Sequence, residues 1–241
     1  MKAFIFAAGL GTRLYPFTSN QPKALVAIEG KPMLEHIILK LKTFGITSFI
    51  INIHHFGEQI IQFLEEKQNF GCQIIISDER QKLLDTGGGL KKALTYLGKN
   101  EDLLVHNVDV WTNYNLNLLM EHHKETHSLI SLLVQKRNTS RYLLFDKKEM
   151  VLKGWINKKT SKKLPPDINI EQYSAFAFNG IHIINSHALK YFQSNGKFPL
   201  IPEYLQIAQS QKITAIDITN AYWLDLGKAE QITEAEKMIR K

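Results

Sequence analysis

Gly9, Gly11, Arg13 and Lys23 have the types and spacing needed to hold a polyphosphate. They sit in the run AAGLGTRLYPFTSNQPK, Ala7 to Lys23, directly after a short apolar stretch. Gly9 and Gly11 remove the side chains that would keep an anion from backbone N–H groups, and a concave run of such groups is itself an anion site. Arg13 adds a planar bidentate fork and Lys23 a mobile point charge. Two commoner phosphate motifs are excluded: Leu14 stands at the third glycine of G-x-G-x-x-G, and G-x-x-x-x-G-K-[ST] does not occur. A bare G-x-G after a strand is often only a tight turn. The ordered set of Arg13, Pro16, Pro22 and Lys23 points to the phosphate cradle instead.

Two carboxylates supply what this loop lacks. Asp109 ends the apolar run HNVDVW, and Asp225 lies among apolar residues in WLDLG. Either alone is a weak signal, since Asp after a strand commonly caps a turn. Converging from distant parts of the chain, the pair would hold Mg²⁺, which takes a few carboxylates, water and substrate phosphate oxygens. Transfer of a phosphoryl or nucleotidyl group is then the economical chemistry, because positioning and electrostatics carry it without a serine or cysteine nucleophile. The adjacent pairs His54-His55 and His122-His123 are poor zinc sites, since chain neighbours point apart. One of His54 and His55, after a strand end, is a candidate to line the pocket.

These residues need a scaffold that brings strand ends together. Lys2–Ala8, Ser48–Ile53, Gln73–Ser77 and Leu103–Asn107 read as buried strands, and Met33–Phe44, Gly57–Glu66 and Gly88–Leu97 as helices between them. That alternation predicts an α/β fold: a Rossmann-like three-layer α/β/α arrangement with a mostly parallel, mixed central sheet. Ligands in such sheets bind beyond the carboxyl ends of the strands, where the glycine loop and Asn107-Val108-Asp109 fall. The second half reads as strands with hairpins at Ser128–Val134, Arg141–Phe145, Met150–Trp155 and Ser174–Ile184. Short helices near Ser186–Phe192 and Ile201–Ser210, strands Ile213–Ile218 and Tyr222–Leu226, and a helix from Ala229 follow. The expected organisation is one domain over 1–241, with a nucleotide-binding half at 1–127 and a sugar-acceptor half at 128–241.

With 241 residues and 44% hydrophobic composition, the chain can bury a sizeable core. No apolar run reaches the ~18 residues of a membrane span, and Ala3–Ala8 is too short for a signal-peptide core, so a cytoplasmic protein is expected. A single cysteine, Cys72, forms no internal disulfide. The net charge of +7 suits anionic partners without choosing among them. Five lysines in KGWINKKTSKK, Lys153 to Lys163, invite a nucleic-acid reading. Aromatics are not interleaved along that run, so a solvated basic hairpin or loop is the reading adopted.

The motifs together resemble the sugar-1-phosphate nucleotidyltransferases over almost the whole chain. AAGLGTRLYP with QPKAL is similar to their signature loop, NVDVW to their metal-binding Asp segment, and WLDLG to their second metal site. The resemblance implies a nucleoside triphosphate held by Ala8, Gly9, Gly11, Thr12, Arg13, Lys23 and Asn107. It makes Arg13, Lys23 and Asp109 catalytic, and it puts Mg²⁺ on Asp109 and Asp225. LLDTGGGLKKAL and the string from Asn107 to Thr112 resemble the subgroup of N-acetylmuramate-1-phosphate uridylyltransferases and some mannose-1-phosphate guanylyltransferases. There Thr86, Gly87 and Gly88 would meet the base. AFNGIHII is similar to the acceptor-sugar strand, implying Asn179 and Gly180 as sugar contacts, with a turn or bulge role as the alternative for Asn179. The implied partners are a nucleoside triphosphate, UTP favoured, and a sugar 1-phosphate, in a monomer or small homo-oligomer of cell-wall recycling; no nucleic acid and no membrane is implied. The alternatives are a mannose- or heptose-1-phosphate guanylyltransferase, or a catalytically weak regulatory protein that binds nucleotide-sugars. Three departures from the pattern stand out: Val108 in place of glycine, where it would crowd ribose or phosphates, Ala24 in place of proline, and Lys228 in place of threonine. A hexapeptide-repeat acyltransferase domain is not expected in a chain of this length.

Overall fold

The computed structural model describes residues 1–227 and 229–239; Lys228, one of the departures, lies outside the described residues. The fold is a mixed central sheet with helices on both sides, as expected. The chain forms two compact units, one from Met1–Leu84, Leu104–Asn113 and Tyr222–Lys241, the other from Asp85–Leu103 and Tyr114–Ala221. The units interleave along the chain. The cause lies in a short antiparallel ribbon, in which Trp223, Leu224 and Asp225 pair with Thr112, Trp111 and Val110. That ribbon carries the C-terminal segment back into the first unit.

In the first unit the strands run in the order Asp102–Asn107, Lys2–Phe6, Ser48–Ile53, Gln73–Asp78. Lys2–Phe6 pairs parallel with Ser48–Ile53, and Ser48–Ile53 parallel with Gln73–Asp78. Such strands are covered on both faces, which is why they read as continuous apolar runs: Phe49, Ile50, Ile51 and Ile53 are all 0% exposed. The helix Met33–Thr43 makes the first crossover and buries Leu34, Ile37, Ile38 and Leu41. Gly57–Glu66 makes the second, burying Ile60 and Leu64. All these parallel strands point their carboxyl ends the same way, toward the glycine loop.

The second unit is built mainly of antiparallel pairs, in the order Lys162–Leu164, Leu152–Asn157, Arg141–Phe145, Ser174–Asn185, Ile130–Gln135, with Ile213–Asp217 parallel to the last. The basic segment Lys153 to Lys163 is the hairpin between Leu152–Asn157 and Lys162–Leu164, with Lys158, Lys159 and Lys162 exposed. The glycine-rich helix covers Asp85–Leu94, beginning three residues before the sequence expectation. A helix at Leu116–Thr126 was not expected from the sequence. It is started by Asn115, whose side chain accepts from the Asn117 N–H at 3.1 Å. Its buried face ends on His123 rather than on an aliphatic residue, which hides the apolar period.

Candidate functional site

The strand Lys2–Phe6 delivers the chain into the loop, and a buried amide fixes the point of entry. Asn52, at the carboxyl end of Ser48–Ile53 and 2% exposed, accepts through Oδ1 from the N–H of Ala7 at 2.7 Å and of Ala8 at 3.2 Å. Its Nδ2 donates to Glu79 Oε1 at 2.8 Å. Glu79, also 2% exposed, takes the N–H of Leu84 on Oε2 at 2.9 Å. Every oxygen of this buried carboxylate thus has a donor, as burial of such a group requires. Sequence reasoning missed both residues; the signal was a polar residue inside the apolar run SFIINI. Ala8, placed in the nucleotide set, spends its N–H on this strut.

Gly11 then turns the loop back. It is left-handed at φ +66°, and a Cβ there would lie 2.8 Å from Thr18 Cγ2 and 3.1 Å from Lys23 Cβ. Thr18 Oγ1 donates to the Gly11 carbonyl at 2.9 Å. The same closure brings Lys23 against Gly11. At Gly9 a Cβ would meet nothing within 4 Å, so that glycine leaves open space. The resulting cleft, about 280 Å³, is lined by Gly9, Gly11, Thr12, Arg13, Lys23 and Gly227.

Cations of the loop face the two carboxylates. Lys23 Nζ is paired with Asp109 Oδ2, both side chains being largely buried at 11% and 15% exposure. Arg13 Nη1 lies 3.4 Å from Asp225 Oδ2 in a more open setting, 57% and 30% exposed. Asp225 reaches Asp109 through backbone pairing: Asp225 lies opposite Val110, and the Leu226 N–H donates to the Asp109 carbonyl at 2.8 Å. Gly227 donates its N–H to Asp225 Oδ1 at 2.9 Å. A Cβ on Gly227 would stand 2.6 Å from Arg13 Nη2 and 2.7 Å from Asp225 Oδ1, so a larger residue would displace the ends of that pair. Lys40 braces the segment after Asp109 by donating to the Thr112 carbonyl, with Nζ 5.6 Å from the Trp111 ring centroid. Burial pushes its amine down to about 8.

Arg13, Lys23, Asp109 and Asp225 therefore come together with Gly9, Gly11 and Thr12, while Asn107 ends the strand just before Asp109. Val108 is 4% exposed and is not among the residues lining the cleft, and Ala24 is fully buried. The His54 ring bonds the Glu79 carbonyl at 2.8 Å and lies outside the cleft lining.

The remaining expected residues belong to the second unit. Thr86, Gly87 and Gly88 open the helix Asp85–Leu94. Gly87 and Gly88 donate their N–H groups to the Phe198 carbonyl at 2.9 and 3.3 Å, and Thr86 Oγ1 accepts from the Leu200 N–H at 3.1 Å. A Cβ on Gly87 would lie 2.4 Å from the Phe198 ring, so packing within the unit already demands that glycine. Asn179 is 1% exposed and Gly180 has φ +77°, both inside the register shift between Phe178 and His182. The bulge reading of Asn179 thus describes its place in the strand.

A profile of the nucleotidyl transferase family matches residues 2–241. Among curated relatives, the N-acetylmuramate alpha-1-phosphate uridylyltransferase of Caulobacter vibrioides is 38% identical over 115 residues, covering 46% of this chain and 47% of the relative. Mannose-1-phosphate guanylyltransferase 1 of Arabidopsis thaliana is 30% identical over 233 residues, covering 95% of this chain and 62% of the relative. The chain thus spans about half to three-fifths of the length of these relatives. Among solved structures, a UDP-glucose pyrophosphorylase complexed with UDP-glucose superposes with a TM-score of 0.78 at 17% identity, covering 100% and 98% of the two chains. HddC from Yersinia pseudotuberculosis complexed with GMP-PN gives 0.76 at 20% identity over 99% of each. Both share the fold.

Proposed function

The chain belongs to the nucleotidyl transferase family, and from that premise we propose that it transfers a nucleotidyl group from a nucleoside triphosphate to a sugar 1-phosphate. A phosphate oxygen of the sugar attacks the α-phosphorus in line. One P–O bond forms, the bond to the bridging oxygen of the β-phosphate breaks, and pyrophosphate leaves with that electron pair. The observation carrying this reading is the pairing of Lys23 with Asp109 and of Arg13 with Asp225, both cations lining a cleft bordered by Gly9, Gly11 and Gly227. Arg13 and Lys23 would bind the phosphates and neutralise charge on the departing pyrophosphate. Asn52 and Glu79 keep the loop's entry in place, so the backbone of the loop is positioned before binding.

The donor set fits Mg²⁺. Asp225 pairs opposite Val110, the neighbour of Asp109, and among the described residues no group of three metal-ligating side chains gathers. That is the partial protein shell Mg²⁺ takes, completed by phosphate and water. When bound at Asp109 and Asp225, the ion would polarise phosphate oxygens.

For substrates, UTP and N-acetylmuramate 1-phosphate are favoured, supported by the 38% identity to the uridylyltransferase over half the chain. Thr86, Gly87 and Gly88 are then proposed for the base, and Asn179 and Gly180 for the sugar. Guanylyl transfer to mannose or a heptose 1-phosphate is the second reading, supported by the relative that covers 95% of the chain. Val108 is 4% exposed and does not line the cleft, which supports turnover over a binding-only protein. The setting in this reading is the cytoplasm, where nucleoside triphosphates are made. Pyrophosphate release across the five common triphosphates and a panel of sugar 1-phosphates tests it, and no activity with any pair would overturn it. Asp109→Asn should lose metal-dependent turnover by about a hundredfold or more while the chain still folds; near-normal rates would remove Asp109 from the mechanism.

A further inference from the structure

We propose that Lys40 is a positioning residue for the two carboxylates assigned to Mg²⁺: with His36 it grips Trp111, and so fixes the ribbon that joins Asp225 to the segment after Asp109. This rests on the Mg²⁺-dependent reaction above. Every residue involved belongs to the first unit.

The ribbon needs a hold from outside. Val110–Thr112 and Trp223–Asp225 form a two-stranded sheet of their own, separate from the large sheet. A strand pair that short is marginal by itself. Backbone bonds close its two ends, from the Leu226 N–H to the Asp109 carbonyl at 2.8 Å and from the Asn113 N–H to the Tyr222 carbonyl at 3.3 Å. Both bonds join the ribbon to itself, and neither fixes it against its surroundings.

The helix Met33–Thr43 supplies that hold. His36 and Lys40, four residues apart, lie on one face of it. The His36 ring meets the Trp111 ring edge to face, with 5.3 Å between centroids and an angle of 88°. Lys40 Nζ stands 5.6 Å from the centroid of the same ring and donates to the carbonyl of Thr112, the next residue. The helix is itself tied down, because His36 Nε2 bonds the Ile28 carbonyl at 2.8 Å and Leu34, Ile37, Ile38 and Leu41 are buried. Trp111 lies opposite Leu224, directly before Asp225, and two residues after Asp109. Any slip of Trp111 therefore shifts both carboxylates.

Lysine is a costly residue for packing alone. Lys40 is half-buried, and among the described residues its charge meets a carbonyl and a ring face but no carboxylate. Partial burial of an ammonium without a counter-ion has a desolvation cost that methionine would avoid. What lysine adds is a donor that reaches the Thr112 carbonyl only when the ribbon is in place.

Lys40→Met keeps the apolar stem and removes both donor and charge. Titration with Mg²⁺ by calorimetry at about pH 7 separates two roles by sign. A positioning role predicts a dissociation constant raised by about tenfold or more. If the charge only repels the ion, the constant falls; a fall or no change overturns the proposal. Lys40→Arg, which keeps a donor and a cation for the ring face, should recover part of the affinity. Trp111→Leu should reproduce the loss, and the double variant Lys40→Met/Trp111→Leu should be about as weak as the worse single one; additive losses would refute the shared grip. Hydrogen exchange in metal-free protein separates this idea from the reaction itself. In Lys40→Met the Leu226 and Asn113 amides should exchange about tenfold faster, with Ser48–Ile53 unchanged. That local response supports the grip even if no turnover is found with any substrate pair. Uniform acceleration would make Lys40 a general stabiliser and overturn its positioning role.

Discussion

Replacing Asn52 by leucine isolates the strut beneath the glycine loop. The side chain keeps its approximate volume, but two buried N–H groups, on Ala7 and Ala8, lose the acceptor they reach at 2.7 and 3.2 Å. Each orphaned buried donor costs about 1–3 kcal/mol. Glu79 Oε1 also loses its donor at 2.8 Å, and a buried carboxylate is the more expensive group to leave short of partners. The expected loss is about 3–6 kcal/mol in urea unfolding, or about 6–20 °C in melting temperature for a chain of this size. Asn52→Asp keeps the acceptor for Ala7 and Ala8 but sets a second carboxylate against Glu79. Adding Glu79→Gln repairs this, because the new amide donates to residue 52 while its oxygen still accepts from Leu84. The double variant should therefore be more stable than either single one, with a coupling of about 2 kcal/mol or more. Additive losses, or a cost below about 1 kcal/mol for Asn52→Leu, would refute the strut. Wherever these variants fold, the KM for triphosphate should rise with the stability loss.

Gly87→Ala places a methyl group 2.4 Å from the Phe198 ring, for an expected cost of about 1–3 kcal/mol in urea unfolding. Gly9→Ala meets no atom within 4 Å and should change stability by less than about 0.5 kcal/mol, while weakening triphosphate binding measured by calorimetry. Burial holds His106 and His182 down to about 3 each. The unfolded chain takes up those protons from about pH 6.5 downward, so stability falls with pH across that window by up to about 1.4 kcal/mol per unit for each histidine. His182→Asn should flatten the slope by about one such contribution in urea titrations between about pH 4.5 and 7. Mg²⁺ and triphosphate, titrated by calorimetry, should each bind about tenfold or more tightly in the presence of the other.

The parallel strands of the first unit were legible because each is a predominantly apolar run such as SFIINI, almost wholly buried in that case. The cradle was legible because Gly9, Gly11, Arg13 and Lys23 lie within one loop. Asp225 could be suspected from its apolar neighbours, but its pairing opposite Val110 is a long-range register that no local pattern encodes. Asn52 and Glu79 act through backbone groups, and a single polar residue in an apolar strand does not announce its partner. The glycine at position 87 also serves packing within the unit, since Phe198 lies where a Cβ would stand, a contact no local pattern announces.

The opposition of cations and carboxylates has a consequence for how ligands bind. Lys23 and Asp109 are 11% and 15% exposed, so each depends on the other for its charge balance. In the proposed reaction, a triphosphate arriving alone would draw Lys23 away and leave Asp109 an unpaired carboxylate in a poorly hydrated place. A divalent ion arriving alone meets Asp109 beside a lysine that repels it. Only when both arrive does every charge keep a partner, with Lys23 on phosphate and Asp109 on the ion. Arg13 and Asp225 obey the same logic with a smaller stake, since at 57% and 30% exposure water can replace either partner. The coupling should therefore collapse in Lys23→Met, and in a particular direction: triphosphate binds more weakly, whereas Mg²⁺ alone binds more tightly because its competitor is gone. Weaker binding of both ligands would mean that Lys23 merely holds the loop together, and the exchange of partners would have to be abandoned.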